Sequence, residues 1–320
     1  MVVWLVISSY RNDEDVVRII EQAHACDRRL FERILVVDSE GTGKIPDVIK
    51  DRGWDDVSYR SYDRNLGSGA NLCERLCIAA EGGADYAYAV NHDGNVDPNV
   101  FSTLLKEAGS VEKIGAVYPL GLMTSAGLYN ITGTRQLPLP AKLVSSPPAE
   151  PLIDVFWSSS NGALYSMNPV RQGIVPWPVM WMGWEDLEYG WRLRDQGYRQ
   201  VIVSNAIYRD NHEYVQTWIG KTVDKPAWRT YYGFRNLLLA IRRSRNRPLY
   251  YAVAAYKVIV ECGLIILARS SKWKRLRELC AGIITGLTAS MDIVPELMGK
   301  ESHFSSPSSQ CIDLHVRGSK

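Results

Sequence analysis

The sequence predicts an α/β fold built on a doubly wound, mostly parallel sheet. Three observations predict it. Short apolar runs without polar alternation recur through the first third of the chain, as in strands covered on both faces. Segments of helical period separate those runs. Polar clusters follow the runs, and in such sheets ligands sit beyond the carboxyl ends of the strands.

The elements justify themselves in order. Residues 2–8 form a continuous apolar run, read as a first strand. Residues 13–25 carry Val16, Val17, Ile19, Ile20 and Ala23 at helical spacing. A second strand over 34–37 ends at Asp38, and 38–43 is a turn. A third strand spans 57–62, a helix 71–80 and a fourth strand 86–90. Residues 123–151 are rich in Gly, Thr, Ser and Pro and read as an irregular excursion, a common home for function. Strand signals return at 155–157, 163–167 and 200–203, with a helix from Glu185 to Gln196 between the last two. From Arg229 onward the pattern is helical. Residues after 300 are Ser-rich and read as a disordered tail. The expected division is 1–225 for the ligand-binding α/β domain, 226–300 for a helical extension and 301–320 for the tail.

Composition narrows the class. Apolar residues make up 46% and charged residues 22%, so a packed core is expected rather than global disorder. Residues 226–280 hold twelve Lys/Arg against two Asp/Glu, a net of +10, which leaves the rest at −8 of the overall +2. The basic residues are not interleaved along the α/β part, which argues against nucleic acid as a partner. Six cysteines (Cys26, Cys73, Cys77, Cys262, Cys280 and Cys311) form no Cys-x-x-Cys pair, so neither a zinc knuckle nor a redox dithiol is implied. They favour a reducing, cytoplasmic setting. The N-terminal apolar run is too short for a signal segment.

Candidate chemistry gathers after the strands. The first run leads into Ser8-Ser9-Tyr10-Arg11-Asn12, the second ends at Asp38, and the fourth leads into Asn91-His92-Asp93-Gly94-Asn95-Val96-Asp97. A carboxylate such as Asp38 can accept an imide N–H of a pyrimidine base or form an Asx-turn or helix cap. Asn91 and Asp93, flanking one residue, can meet a hard divalent cation, with Asp97 as a further acid nearby. The run Asn65-Leu66-Gly67-Ser68-Gly69-Ala70-Asn71 allows close backbone approach at a helix start, yet lacks the Lys-Ser/Thr of a P-loop. In Trp181-Met-Gly-Trp184-Glu185-Asp186-Leu-Glu188-Tyr-Gly-Trp191-Arg192, the acids either cap a helix, with Glu188 and Arg192 as an i, i+4 pair, or work as a base beside sugar-stacking aromatics. His212, after the 200–203 strand and its loop, is either a surface residue or a metal ligand.

Taken in order, these segments resemble the inverting glycosyltransferases of family 2, with the GT-A fold, over about residues 2–213. The likeness is to rhamnosyltransferase- and galactofuranosyltransferase-like members, and in the rhamnosyltransferase-like ones an Asn occurs at the position of Asn91. The resemblance implies a nucleotide-diphosphate sugar (UDP- or dTDP-linked) as donor, contacted by Ser9, Tyr10, Arg11, Asp38, Asn65, Gly67, Asn71, Asn91, His92 and Asp93. It implies Mn2+ or Mg2+ held by Asp93 and His212. It implies Asp186 as general base with Glu185 beside it. Trp181, Trp184, Glu185 and Arg192 would contact a glycan, lipid-linked or protein acceptor. The contrasting expectation is a nucleotide-sugar-binding or scaffold protein without turnover, which has no need of Asp93 and the Glu185–Asp186 pair together. A nucleotidyltransferase is disfavoured, because 8–15 has one basic residue, Arg11, and no glycine.

The apolar stretch 250–267 could just span a bilayer by length, but carries Lys257 and Glu261. It reads as a helix buried in the protein, in a homodimer, or lying at a membrane interface, with 226–280 as the peripheral contact at the inner face.

Overall fold

The computed structural model describes residues 1–26, 30–41, 43–139, 141–210, 215–217, 220–222, 226–244 and 247–291. Strands and helices alternate at first: β1 (Val3–Ser9), α1 (Asp13–Ala25), β2 (Arg33–Ser39), α2 (Lys44–Arg52), β3 (Val57–Tyr62), α3 (Gly67–Glu81), β4 (Tyr86–Val90), α4 (Pro98–Ser110) and β5 (Ile114–Met123). Three short strands follow, β6 (Leu128–Ile131), β7 (Lys142–Val144) and β8 (Leu152–Asp154). Then come β9 (Ala163–Ser166), α5 (Met167–Arg171), α6 (Glu185–Asp195) and β10 (Arg199–Asp210). A small antiparallel pair, β11 (Val215–Thr217) and β12 (Gly220–Thr222), precedes α7 (Trp228–Arg243), α8 (Arg247–Leu267) and α9 (Lys272–Thr288).

The main sheet runs β3-β2-β1-β4-β9-β5-β10-β8. Strands β1 to β4 are mutually parallel, β9 is antiparallel to both β4 and β5, and β10 runs parallel to β5. The excursion expected over 123–151 is partly ordered, since β6 and β7 extend antiparallel from β5. Strand order turns around at β1, which lies between β2 and β4. That places a crevice at the carboxyl ends of β1 and β4.

The unbroken apolar runs reflect burial on both faces. Along β1, Trp4 and Val6 join the core under α3, α5 and α6, while Val3, Leu5 and Ile7 join the core under α1, α2 and α4. A third cluster joins Trp177, Met180, Leu187 and Trp191 to Leu237–Ile241 of α7 and to Tyr250 and Ala254 of α8. Helix α9 packs on α7 closely enough that a Cβ on Gly282 would lie 2.5 Å from the Tyr231 carbonyl oxygen.

Several boundaries differ from the sequence expectation. Helix α3 starts four residues earlier, at Gly67 rather than Asn71. The strand expected at 155–157 is instead β8, three residues earlier. Strand β5 carries Pro119, which cannot donate to a ladder and so conceals the strand. The proline sits where the β5–β10 register shifts, Val203 pairing with Pro119 and Ile207 with Leu120, so the break in the ladder accommodates it.

Candidate active site

The crevice is built from strand ends. After β4 the chain turns sharply, and four contacts fix the turn. The Asn91 N–H donates to Asn161 Oδ1 at 3.0 Å, and the Ser8 hydroxyl donates to Asn91 Oδ1 at 3.2 Å. The Asn95 N–H donates to the Tyr208 hydroxyl at 3.1 Å, and Arg18 donates to the Gly94 carbonyl at 3.2 Å. Gly94 has no room for a side chain: a Cβ would lie 2.6 Å from the Tyr208 hydroxyl and 2.7 Å from Asn161 Oδ1. The turn thus holds Asp93 outward, exposed, at a cleft of about 300 Å³ lined also by Asn91, Pro119, Asn130, Ser159, Asn161 and Tyr208. Sequence reasoning missed Asn161 and Tyr208. Their signal exists only in three dimensions, since antiparallel β9 and the end of β10 bring them to β4.

Asp186 is linked to the wall of this cleft by Ser160, in the loop before β9. It lies in the first turn of α6, half-buried, and its carboxylate is hydrogen-bonded by Ser160. Ser160 sits between Ser159 and Asn161 of the cleft wall. Oδ1 of Asp186 has no hydrogen-bond partner among the described residues. Burial and then the charge of Glu185 hold the Asp186 carboxyl well above the usual carboxylate range, opposed by Ser160 and by the buried guanidinium of Arg75. Arg75 donates to the carbonyls of Val6 and Val90 at 3.0 and 3.2 Å, so it ties β1 to β4 directly beneath the crevice. The site has an acceptor whose proton affinity is raised.

Glu185 faces elsewhere. It is buried and accepts from the Ser68 hydroxyl of α3, and burial raises its carboxyl above the usual range. It anchors α6 to α3 and acts on Asp186 by charge, so the acceptor contact expected of it is not what this geometry offers.

The β2 end is closed. Asp38 is fully buried, its Oδ2 accepts from the Tyr59 hydroxyl at 2.7 Å, and its Oδ1 has no hydrogen-bond partner among the described residues. Burial holds its carboxyl above the usual range, opposed by the Tyr59 hydroxyl. Buried Ser9 lies opposite Asp38 in the β1–β2 register. Arg11 and Glu40 follow the two strands, both in the left-handed region at φ 53° and 65°, and pair with each other. Arg11 also lies over the Tyr10 ring, 5.1 Å from its centroid. Two strained non-glycine residues joined across the crevice mark a site where structure over-determines the backbone. Asn71 fastens this end to α3 by donating to the Val37 carbonyl at 3.0 Å.

Several expected ligand residues have structural work instead. Cβ atoms on Gly67 and Gly69 would lie 2.2 Å from the Trp181 carbonyl oxygen and 2.1 Å from that of Met180. Those glycines therefore admit the 180–181 segment rather than a phosphate. Asn65 Oδ1 caps the Gly67 N–H at 2.8 Å. Trp181 is packed against Tyr232 and Trp228 of α7, with centroids 4.6 and 5.4 Å apart, so its faces are taken by protein and not by a sugar. Trp184 donates to the Gly233 carbonyl at 2.7 Å and carries Lys257 5.2 Å from its ring centroid. Arg192 is bound to Glu188 at 2.6 Å and to the Val175 carbonyl, which removes it from acceptor contact. The aromatic density beside Asp186 is thus the seam between the sheet layer and the C-terminal helices.

The described residues do not complete a cation site. No group of three His, Cys, Asp or Glu side chains converges among them. Asp97, the further acid, caps α4 by accepting from the N–H groups of Asn99 and Val100. His92 is half-buried beside Asp93, and His212 lies outside the described residues.

Neither a family model nor a curated protein sequence matches the chain. Solved structures do. The chain is similar to S. aureus TarS 1–349 at 11% identity and a TM-score of 0.55, covering 98% of this chain and 89% of that one. It is similar to GalNAc-T7 with UDP, GalNAc and Mn2+ at 12% identity and a TM-score of 0.59, covering 95% of this chain but 58% of that one. It is similar to the Pyrobaculum calidifontis mannosyltransferase PcManGT with GDP-Man and Mn2+ at 11% identity and a TM-score of 0.53, covering 89% and 87%. These structures are GT-A-type glycosyltransferases, and the mostly parallel sheet flanked by helices is the same fold. At such identities the likeness extends to architecture: the chain has the GT-A fold.

Proposed function

We propose that the chain is an inverting glycosyltransferase that moves a sugar from a nucleotide-diphosphate donor to a hydroxyl acceptor. One observation carries the reading: Asp186, half-buried at the start of α6 and hydrogen-bonded by Ser160 between two residues of the cleft wall, has a raised proton affinity and an oxygen with no hydrogen-bond partner among the described residues. A protein that only binds a ligand has no use for such a group. In the proposed step, Asp186 takes the proton of the acceptor hydroxyl as its oxygen attacks the anomeric carbon, and the nucleoside diphosphate leaves from the opposite face. Nucleoside diphosphates and nucleotide sugars in several similar structures support the donor class. Buried Asp38, whose Oδ1 has no hydrogen-bond partner among the described residues, is the group assigned to the base, which requires the β2 end to open, and exposed Asp93 is assigned to the diphosphate side. A divalent cation held by Asp93 would draw its remaining ligands from the diphosphate or from residues outside those described.

The test is a donor panel of UDP-, dTDP- and GDP-sugars read by nucleotide release and thermal shift. Asp186→Asn is expected to lower turnover about 10²- to 10⁴-fold, the usual scale for losing a general base, while donor-induced stabilisation persists. The wild-type carboxyl also imposes a stability trend. Its favourable protonated state is present below the ordinary carboxylate pKa, and that stability is lost as pH rises through the raised one. Asp186→Asn should flatten this decline. Normal turnover in the variant would refute the assignment, and donor stabilisation of wild type without turnover on any acceptor would favour the binding-protein reading.

A further inference from the structure

Helix α8 is apolar on the wrong side for a soluble protein. Its 21 residues have a mean hydropathy of 1.7 over the most apolar window, of which 17% is buried. The exposed residues include Leu249, Tyr256, Ile259, Ile266 and Leu267, with Ile259 at 71%. Their spacing of 7, 3, 7 and 1 places them along one helical stripe. The charges turn the other way. Lys257 lies over the Trp184 ring, and Glu261 lies 3.9 Å from Arg269. Burial pushes the Lys257 ammonium down and the Glu261 carboxyl up. Ionisable groups turned inward with apolar groups outward is the arrangement of a helix that meets lipid.

A cationic segment follows the helix in sequence. Beyond α8, Trp273 is 86% exposed, flanked by exposed Lys272, Lys274 and Arg277. Tryptophan with lysine and arginine beside an apolar face suits the level of anionic headgroups. The helix cannot cross the bilayer while packed as it is. Tyr250 stacks on Trp191 at 4.7 Å, Lys257 covers Trp184, and Ile265 is fully buried, so α8 is held lengthwise against the protein. A second copy fits the surface poorly. Exposed Arg247 begins α8 and the Lys272–Arg277 cluster follows its end, so parallel or antiparallel pairing would oppose like charges.

We propose that α8 and the start of α9 dock the protein flat on an anionic membrane, the apolar stripe entering the headgroup boundary and the basic segment meeting lipid phosphates. The proposal is independent of the glycosyltransferase reading, because lipid binding is read without donor or acceptor. The experiment is flotation of the full chain with phosphatidylcholine vesicles, with and without phosphatidylglycerol. The protein should float with the anionic vesicles and be released by high salt. Ile259→Ser/Ile266→Ser/Trp273→Ala, all at exposed positions, should lose at least 10-fold in partitioning at unchanged Tm. Lys272→Glu/Lys274→Glu/Arg277→Glu should lose the preference for phosphatidylglycerol. Wild type left in the soluble fraction, or stripe variants floating like wild type, would overturn the proposal. So would a dimer dispersed by the stripe variant without lipid binding, or membrane association that survives alkaline extraction, which indicates a spanning helix.

Discussion

The sheet layer and helix α8 sort their side chains in opposite senses. Strands β1 and β4 bury apolar residues on both faces and present polar groups at or past their carboxyl ends, where Ser8 donates to Asn91 and where Asn91 and Asp93 line the cleft. Helix α8 turns Lys257 and Glu261 inward and a stripe of large apolar residues outward. Each pattern is the low-energy one for its surroundings, since apolar surface leaves water wherever an apolar neighbour is offered. Hydropathy alone therefore does not locate the core: 2–8 and 250–267 are both apolar runs, yet the first is almost wholly buried and the second leaves large apolar residues exposed. What separates them is where the polar residues fall, after the run in the strand and within it in the helix.

The largest expected effect lies at the joint between the two regions. Glu188, nearly fully buried, is shared by Arg192 of its own helix and Arg243 of α7, with the Arg243 contact at 3.5 Å. Glu188→Gln removes the charge that both guanidinium groups face. Breaking a buried ion pair by deleting one partner costs roughly 3–5 kcal/mol. A lowered urea midpoint at constant m would show it. An unchanged midpoint would mean that apolar contacts alone join the helices to the sheet layer.

A smaller effect tests the polar side of the comparison. The acidic limb of the kcat/KM profile should lie above the ordinary carboxylate range, because a base works only when unprotonated and the Asp186 carboxyl is raised. Burial is the larger cause and the Glu185 charge the next. Glu185→Gln should therefore move the limb to lower pH, part of the way towards an ordinary carboxylate. A limb that stays in place would assign the raised affinity to burial alone.

The fold and the site were legible to different degrees. The first four strands and the helices after the first and third of them follow from local pattern, because strands covered on both faces and amphipathic helices leave a direct trace. Strand β5 left none, since Pro119 is tolerated only where β10 shifts register. Within the site, Asp186 and Asp93 were readable as acids at element ends. Asn161 and Tyr208 were not, because only sheet order brings them to β4. Trp181, Trp184 and Arg192 were misread for one reason: aromatic and ionic side chains in sequence beside a carboxylate need not face it. On α6 and its approach, the face opposite the cleft is the one that seats α7 and α8.

The smallest effect addresses the inward charges of α8. Lys257 is largely enclosed between its helix and the Trp184 ring, and burial depresses its ammonium pKa. Its attraction to the ring and to Glu261 is offset by the cost of withdrawing it from water, so Lys257→Met should change stability by less than about 1 kcal/mol in either direction. Glu261 keeps Arg269 as its partner in that variant. The informative readout is partitioning onto phosphatidylglycerol vesicles. A lysine on the lipid-facing side would resist insertion, and its loss would strengthen binding. A lysine turned towards the protein has no such effect. Unchanged partitioning in Lys257→Met, beside lost partitioning in the stripe variant, would establish that α8 keeps charge inside and apolar surface outside; a clear gain would reverse the orientation assigned to the helix.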